Sequence, residues 1–168
     1  EVSQGIRISN GRDVESVSAL ALALAGDSAQ ALRFADDLAK RYPQDTLVQF
    51  NYLPSIRAAV ALRGGKPDKA IQALEGASPY ELGVPALPFT LSLHPAYLRG
   101  TAYLALHQGP QAAAEFQKFL DHPGVVQNEP MASLAYLGLA RANALIGDAG
   151  KSRTAYQDFF SLWKNANP

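Results

Sequence analysis

The sequence predicts an all-α protein, a superhelical array (solenoid) of about four helix–turn–helix units with one long ordered loop. Three observations carry this. Apolar residues recur at three- and four-residue spacing along Ala-rich runs, which is the period of a helix face. Turn positions Gly26, Gly65, His107 and Gly147 separate those runs at steps of 39, 42 and 40 residues. Within 95–120, small residues and aromatics match across a turn: Gly100 and Tyr103 stand three apart before it, Ala112 and Phe116 four apart after it. Small residues let two helix backbones approach, and aromatics fill the furrow that remains. Hydrophobic residues make up 48% of the chain and Ala dominates many runs, so the core gains more from close helix contact than from bulk.

The units are expected at about 12–43, 45–77, 94–122 and 128–164 of a single domain spanning 1–168, with the loop at 78–93. In the first, Asp13 is read as the cap of a helix that Gly26 and Asp27 end. A returning helix follows over 28–42, faced by Ala31, Ala35 and Leu38 and stopped at Pro43. In the second, Pro54 lies inside the periodic run 45–63, which predicts a kinked helix. Gly64 and Gly65 then turn the chain, and Pro67 opens a helix faced by Ala70, Leu74 and Ala77. The stretch 78–93 contains three prolines and no helical period, and is expected to pack down through Tyr80, Leu82, Leu87, Phe89 and Leu91. The fourth unit begins near Asn128, with Pro130 at its helix start, and its last helix, 150–164, presents Tyr156, Phe159, Phe160 and Trp163 as an apolar face. Residues 1–9 carry Val2, Ile6 and Ile8 without a period and are read as the tail of a further repeat. With no Met at position 1, the chain reads as a fragment of a longer protein, and a further helix or another molecule is expected over the C-terminal face.

The pairing of small residues and aromatics is that of the tetratricopeptide repeat, although the period exceeds the usual unit of about 34 residues through longer helices and inter-repeat loops. Longer phrases are more specific. RYPQDTLVQFNYLPSIRA (41–58), SPYELG (78–83), PAYLRGTAYLALHQG (95–109), AAAEFQKFLDHPG (112–124) and GDAGKSRTAYQDFFSLWKNANP (147–168) resemble the C-terminal tetratricopeptide region of bacterial eukaryotic-like serine/threonine protein kinases. The resemblance extends over nearly the whole chain from about residue 10. It implies a protein- or peptide-binding scaffold acting as the regulatory or sensor region of such a kinase. The kinase domain, with its ATP and Mg, and often a membrane-spanning segment, would lie outside this chain. The repeats would then stand in the bacterial cytoplasm or on the far side of the inner membrane. Similar helical tails follow winged-helix transcriptional regulators, which gives an alternative attachment. A small-ligand-sensing helical domain, with 78–93 closing over a groove, is a reading from another class.

Catalytic and cofactor motifs are missing from the sequence. The chain has no Gly-rich loop of the kinase type, no His-Arg-Asp and no Asp-Phe-Gly, so no catalytic residue carries over and the fragment is read as a non-enzyme without a cofactor of its own. Arg63-Gly64-Gly65-Lys66 lacks the upstream glycine of a phosphate loop, since Val60 holds that place. His94, His107 and His122 lack the i, i+4 spacing of a metal site, and there is no Cys to supply a thiolate or a disulfide. Asp36 and Asp37 read as a solvated helix face. Lys plus Arg and Asp plus Glu both number 15, so no net field draws nucleic acid or an anionic membrane. The longest Ala/Leu run, 19–25, falls far short of the roughly 20 residues of a membrane-spanning helix.

Binding is the better hypothesis. In tetratricopeptide arrays the first helices of successive units line a concave groove. One position off the packing register lie Tyr52, Ser55, His94, Tyr97, Thr101 and Arg141, which are expected to contact a protein or peptide. Arg57, Arg99 and Arg141 recur at 42-residue steps in otherwise apolar helices, and Arg57 and Arg99 stand where a packing Leu is usual. A charge at such a place snorkels or is paired. The two readings are an internal salt bridge, such as Arg99 with Glu81 or Glu115, and an anion-binding ladder. Self-association through the face of Tyr156, Phe159, Phe160 and Trp163 is a further expected contact.

Overall fold

The computed structural model describes residues 11–83, 92–127 and 129–164, which are all-helical with no strand among them. In order they form α1 (Arg12–Ala25), α2 (Ser28–Arg41), a π-turn (Val48–Tyr52) continuing into α3 (Leu53–Arg63), α4 (Pro67–Ala73) and a 3-10 turn (Ser78–Tyr80). Then follow α5 (His94–Ala105), α6 (Gly109–Asp121), the short α7 (Pro123–Val126), α8 (Met131–Ile146) and α9 (Ala149–Trp163). The chain divides into two compact units, Glu1–Leu98 and Arg99–Pro168, with the boundary inside α5. The expectations on Val2, Ile6, Ile8, Leu87, Phe89, Leu91 and Asn128 lie outside the described residues.

Four turns have the same construction. Gly26, Gly65, His107 and Gly147 all take positive φ, at 101°, 66°, 57° and 84°. In each, the next N–H bonds back to the carbonyl five residues earlier: Asp27 to Leu22, Lys66 to Ala61 and Gln108 to Tyr103 at 2.9 Å, Asp148 to Asn143 at 3.0 Å. This is the Schellman closure, which satisfies carbonyls left over at a helix C-terminus and needs one left-handed residue. Glycine supplies that conformation freely; His107 adopts it against its Cβ. The returning helix starts at once, capped by Asp27 on the Gln30 N–H (3.1 Å) and by Asp148 on the Lys151 N–H (2.9 Å). Elsewhere it is opened by Pro67 and Pro110 in the first turn.

The core repeats with the turns. Seven residues before each turn stand Ala19, Ala58, Gly100 and Ala140, and five after stand Ala31, Ala70, Ala112 and Ser152, all buried. Nine and twelve after come Ala35 and Leu38, Leu74 and Ala77, Phe116 and Phe119, again buried. The corresponding Tyr156 and Phe159 of α9 are only half-buried. Beyond them Phe160, Leu162 and Trp163 are 64%, 56% and 44% exposed, with the Phe159 ring 5.4 Å from Phe160 and 5.6 Å from Trp163. In the C-terminal unit α8 packs on both α6 and α9. Phe116 is the centre of the first contact, because a Cβ on Gly100 would come within 2.8 Å of its ring and one on Gly138 within 2.6 Å.

Two local expectations are corrected, and the run around Pro54 is specified. Asp13 does not cap α1: Gly11 holds that position, and the Asp13 carboxylate in the first turn is taken by Arg12 (2.7 Å) and the Tyr52 hydroxyl (3.3 Å). The run 45–63 stays helical through Pro54, and its irregularity is a π-turn at Val48–Tyr52 that leads directly into α3. A proline ring collides with the carbonyl four residues back, here Phe50, and the wider i→i+5 turn moves that carbonyl aside. Tyr80 and Leu82 are not buried anchors but 39% and 47% exposed, while Glu81 between them is buried. The tight 3-10 turn sends successive side chains in different directions, and Tyr80 instead stacks on Phe50 at 4.4 Å.

The packing gives two predictions. Gly138→Ala is expected to cost about 2 kcal/mol in urea unfolding, because the buried Phe116 ring has no room to yield; an unchanged midpoint would sink the close-contact account. Ser55, fully buried in α3, has a hydroxyl without a hydrogen-bond partner. Replacing it by Ala removes an unsatisfied polar group and improves helix propensity, so Ser55→Ala is expected to stabilise by on the order of 1 kcal/mol.

Candidate functional site

The expected groove residues fall in different environments. Tyr52 and Ser55 are interior to the N-terminal unit, so the expectation that they face a ligand is corrected: α3 packs against α1, α2 and α4 and is buried on nearly every side in its first turns. His94, Tyr97 and Thr101 share one half-buried stripe of α5, at three- and four-residue spacing. Arg141 is exposed on α8. Of the recurring arginines, Arg99 is buried with its Nε 3.4 Å from Glu115 Oε1, and Glu115 also accepts from Lys118 Nζ at 2.8 Å. This is the internal salt bridge, not an anion contact. Arg57 is 49% exposed, with its guanidinium 4.0 Å from Asp36 Oδ1.

Polar side chains tie the N-terminal unit together. Arg12 bridges Asp13 and Asp45, both at 2.7 Å, and Arg41 joins Asp37 (2.6 Å) to the buried Glu15. Hydrogen bonds from Arg12 to Asp13 and Asp45 push the guanidinium further toward its charged form. Burial pushes the Asp45 carboxyl up, but bonds from Arg12 and from the Val48 N–H outweigh it and hold it below the usual carboxylate range. Burial, helped by the Asp13 charge, pushes the Tyr52 hydroxyl up to about 12. These groups brace α1 against the π-turn and are structural.

The open surface features are grooves. In the C-terminal unit a groove of about 800 Å³ runs between α6 and α9 with α8 as its floor. Tyr136, Leu139, Asn143 and Ile146 form the floor, small residues Ala113, Ala114 and Ala155 form parts of the walls, and Asp148, Lys151 and Asp158 supply the charge. Lys151 pairs with Asp148 at 3.3 Å, and the Lys151 backbone N–H holds the Asp148 carboxyl below its ordinary range. In the N-terminal unit a groove of about 540 Å³ lies over α3, between the start of α2 and α4. Advancing its lining residues by 82, the interval from Gly65 to Gly147, turns eight of the nine into lining residues of the larger groove. The two grooves are therefore the same structural feature, formed twice. Among the matched pairs are Arg57 with Leu139, Lys66 with Asp148, Lys69 with Lys151 and Ala73 with Ala155. A third hollow, about 470 Å³, is lined in part by Tyr156 and Phe160 of the C-terminal aromatic face.

Neither groove follows from the first helix of each pair, where the binding residues are expected, because the walls come from the second. The identities of Lys69 with Lys151 and Ala73 with Ala155 are the available signal, and two matches in a helical run are too few to stand out. Among the described residues there is no group of three or more His, Cys, Asp or Glu suited to a metal ion, and no helix long and apolar enough to cross a membrane. The chain matches no protein-family model, no curated protein and no solved structure.

Tyr52 supplies a pH test of the bracing. Its unfolded value lies near 10, so between about 10 and 12 the folded state keeps a proton that the unfolded chain loses. Stability from this group is complete below the unfolded value and is lost as pH rises toward the folded one. Denaturant unfolding across that alkaline window is expected to fall more steeply for the parent than for Tyr52→Phe; parallel curves would refute the assignment.

Proposed function

We propose that this chain is a non-catalytic, tetratricopeptide-like solenoid that binds a segment of a partner protein, attached to and regulating a bacterial serine/threonine protein kinase. The kinase attachment rests on the resemblance of the phrases at 41–58, 78–83, 95–109, 112–124 and 147–168. The binding role is supported by one observation above the others: the same groove recurs at equivalent positions, floored by the first helix of a pair and walled by returning helices. Small side chains on the walls leave room for a bulky anchor from another chain, and polar groups at the rim fix its direction. Apolar floor residues such as Leu139 and Ile146, or Val60 and Ala61, offer the kind of contact that recognition of a side chain uses.

Selection from a displayed peptide library against the whole 168-residue chain tests this. Enriched peptides are expected to bind saturably and to lose about tenfold or more in affinity to Ala114→Trp or Ala73→Trp, each of which fills one groove. Ala114→Arg serves as a second blocking variant, with circular dichroism confirming the helical content of all three. No enrichment over a scrambled helical control, or affinity untouched by every blocking variant, would reject the reading.

A further inference from the structure

The two equivalent grooves differ in charge. The lining of the larger one includes one cation, Lys151, and two carboxylates, Asp148 and Asp158. That of the smaller one includes three cations, Arg57, Lys66 and Lys69, and no carboxylate. Lys66 and Lys69 are exposed near the start of α4, and Arg57 sits one and a half turns from the end of α3, so the cations flank an apolar strip of Val60, Ala61 and Ala73. The nearby acids do little to neutralise them. Asp27 caps α2 through the Gln30 N–H, Asp36 approaches Arg57 only to 4.0 Å between two exposed side chains, and Asp68, though between the lysines in sequence, is not part of the lining. At the matched positions the C-terminal unit carries Leu139 and Asp148 in place of Arg57 and Lys66, so the positive charge belongs to this copy of the groove and not to the repeat.

We propose that the groove of the N-terminal unit binds an acidic segment of a partner protein, whose carboxylates meet Arg57, Lys66 and Lys69 while a small apolar side chain rests on Val60, Ala61 and Ala73. This rests on the binding role above and adds the chemistry of the partner. Formal charge over the whole chain is zero, so the attraction is local to this groove and acts at short range, which favours a short acidic peptide over a long polyanion.

The test uses the intact chain and fluorescence anisotropy. The probe is a labelled helical peptide of Glu and Leu at three- and four-residue spacing, beside its Gln-for-Glu counterpart and a single-stranded oligonucleotide of equal charge. The Glu peptide is expected to bind saturably and about tenfold or more tighter than the Gln peptide, with affinity falling as salt is raised. Lys66→Glu with Lys69→Glu is expected to abolish that preference, and the milder Lys66→Gln with Lys69→Gln to reduce it. The matched pair Arg33→Glu and Lys40→Glu, exposed on α2 outside the groove, is expected to leave it unchanged. Equal binding of the Glu and Gln peptides, equal loss in the Arg33/Lys40 pair, or equal competition by the oligonucleotide would overturn the proposal. If library peptides bind through the larger groove while the Glu peptide does not bind, the acidic-partner proposal fails and the binding role stands.

Discussion

Close approach of paired helices at small buried residues, fixed by a left-handed turn, is the constraint on which the rest of this structure depends. The turn residue sets the angle and phase of the returning helix, and phase decides which side chains meet. Seven residues back and five forward, each hairpin buries Ala, Gly or Ser on both of its helices. Backbones brought this near leave no room for a methyl group where an aromatic already fills the space, as Gly100 and Gly138 show against Phe116. One ring thereby holds α6 to both α5 and α8, and the Ala-rich composition becomes a packing requirement as well as a helix preference.

Charge is placed where this packing allows it. Arg99 occupies a core position of α5 yet is accommodated because Glu115 lies on the facing helix, in turn shared with Lys118. A buried pair of this kind adds little net stability but is costly to break, so it fixes which faces meet more than how strongly. The N-terminal unit uses the same device differently. Arg12 and Arg41 are partly exposed and span elements far apart in sequence, tying α1 to the start of the second repeat through Asp45 and to α2 through Glu15.

The grooves follow from the same geometry. A first helix packed between two returning helices holds them apart, and small residues on the walls keep the furrow open. Because the turns repeat, the furrow repeats, with eight of nine lining positions in register. The repeat specifies backbone and small side chains, while rim positions are free to differ, so Lys66 and Asp148 stand at matched sites with opposite charge. Shared architecture with independent rims lets one fold present two different surfaces.

Helical class and the four turn residues were legible in the sequence, because each depends on contacts within a few residues: apolar period, a left-handed position or a first-turn Pro. The buried faces of α2, α4 and α6 were legible for the same reason. The open face of α3 was not, since the helix is enclosed by α1, α2 and α4 and both Tyr52 and Ser55 end in the interior. Nor was the placing of Arg99, a charge at a packing position of an apolar helix; only the fold shows it buried with its Nε 3.4 Å from Glu115. The grooves were decided only in three dimensions, because their walls come from residues as distant as Ser28 and Ala73 or Pro110 and Asp158. Local sequence fixes where a chain turns and which face is apolar; which surface is left open depends on how a third helix packs between two others.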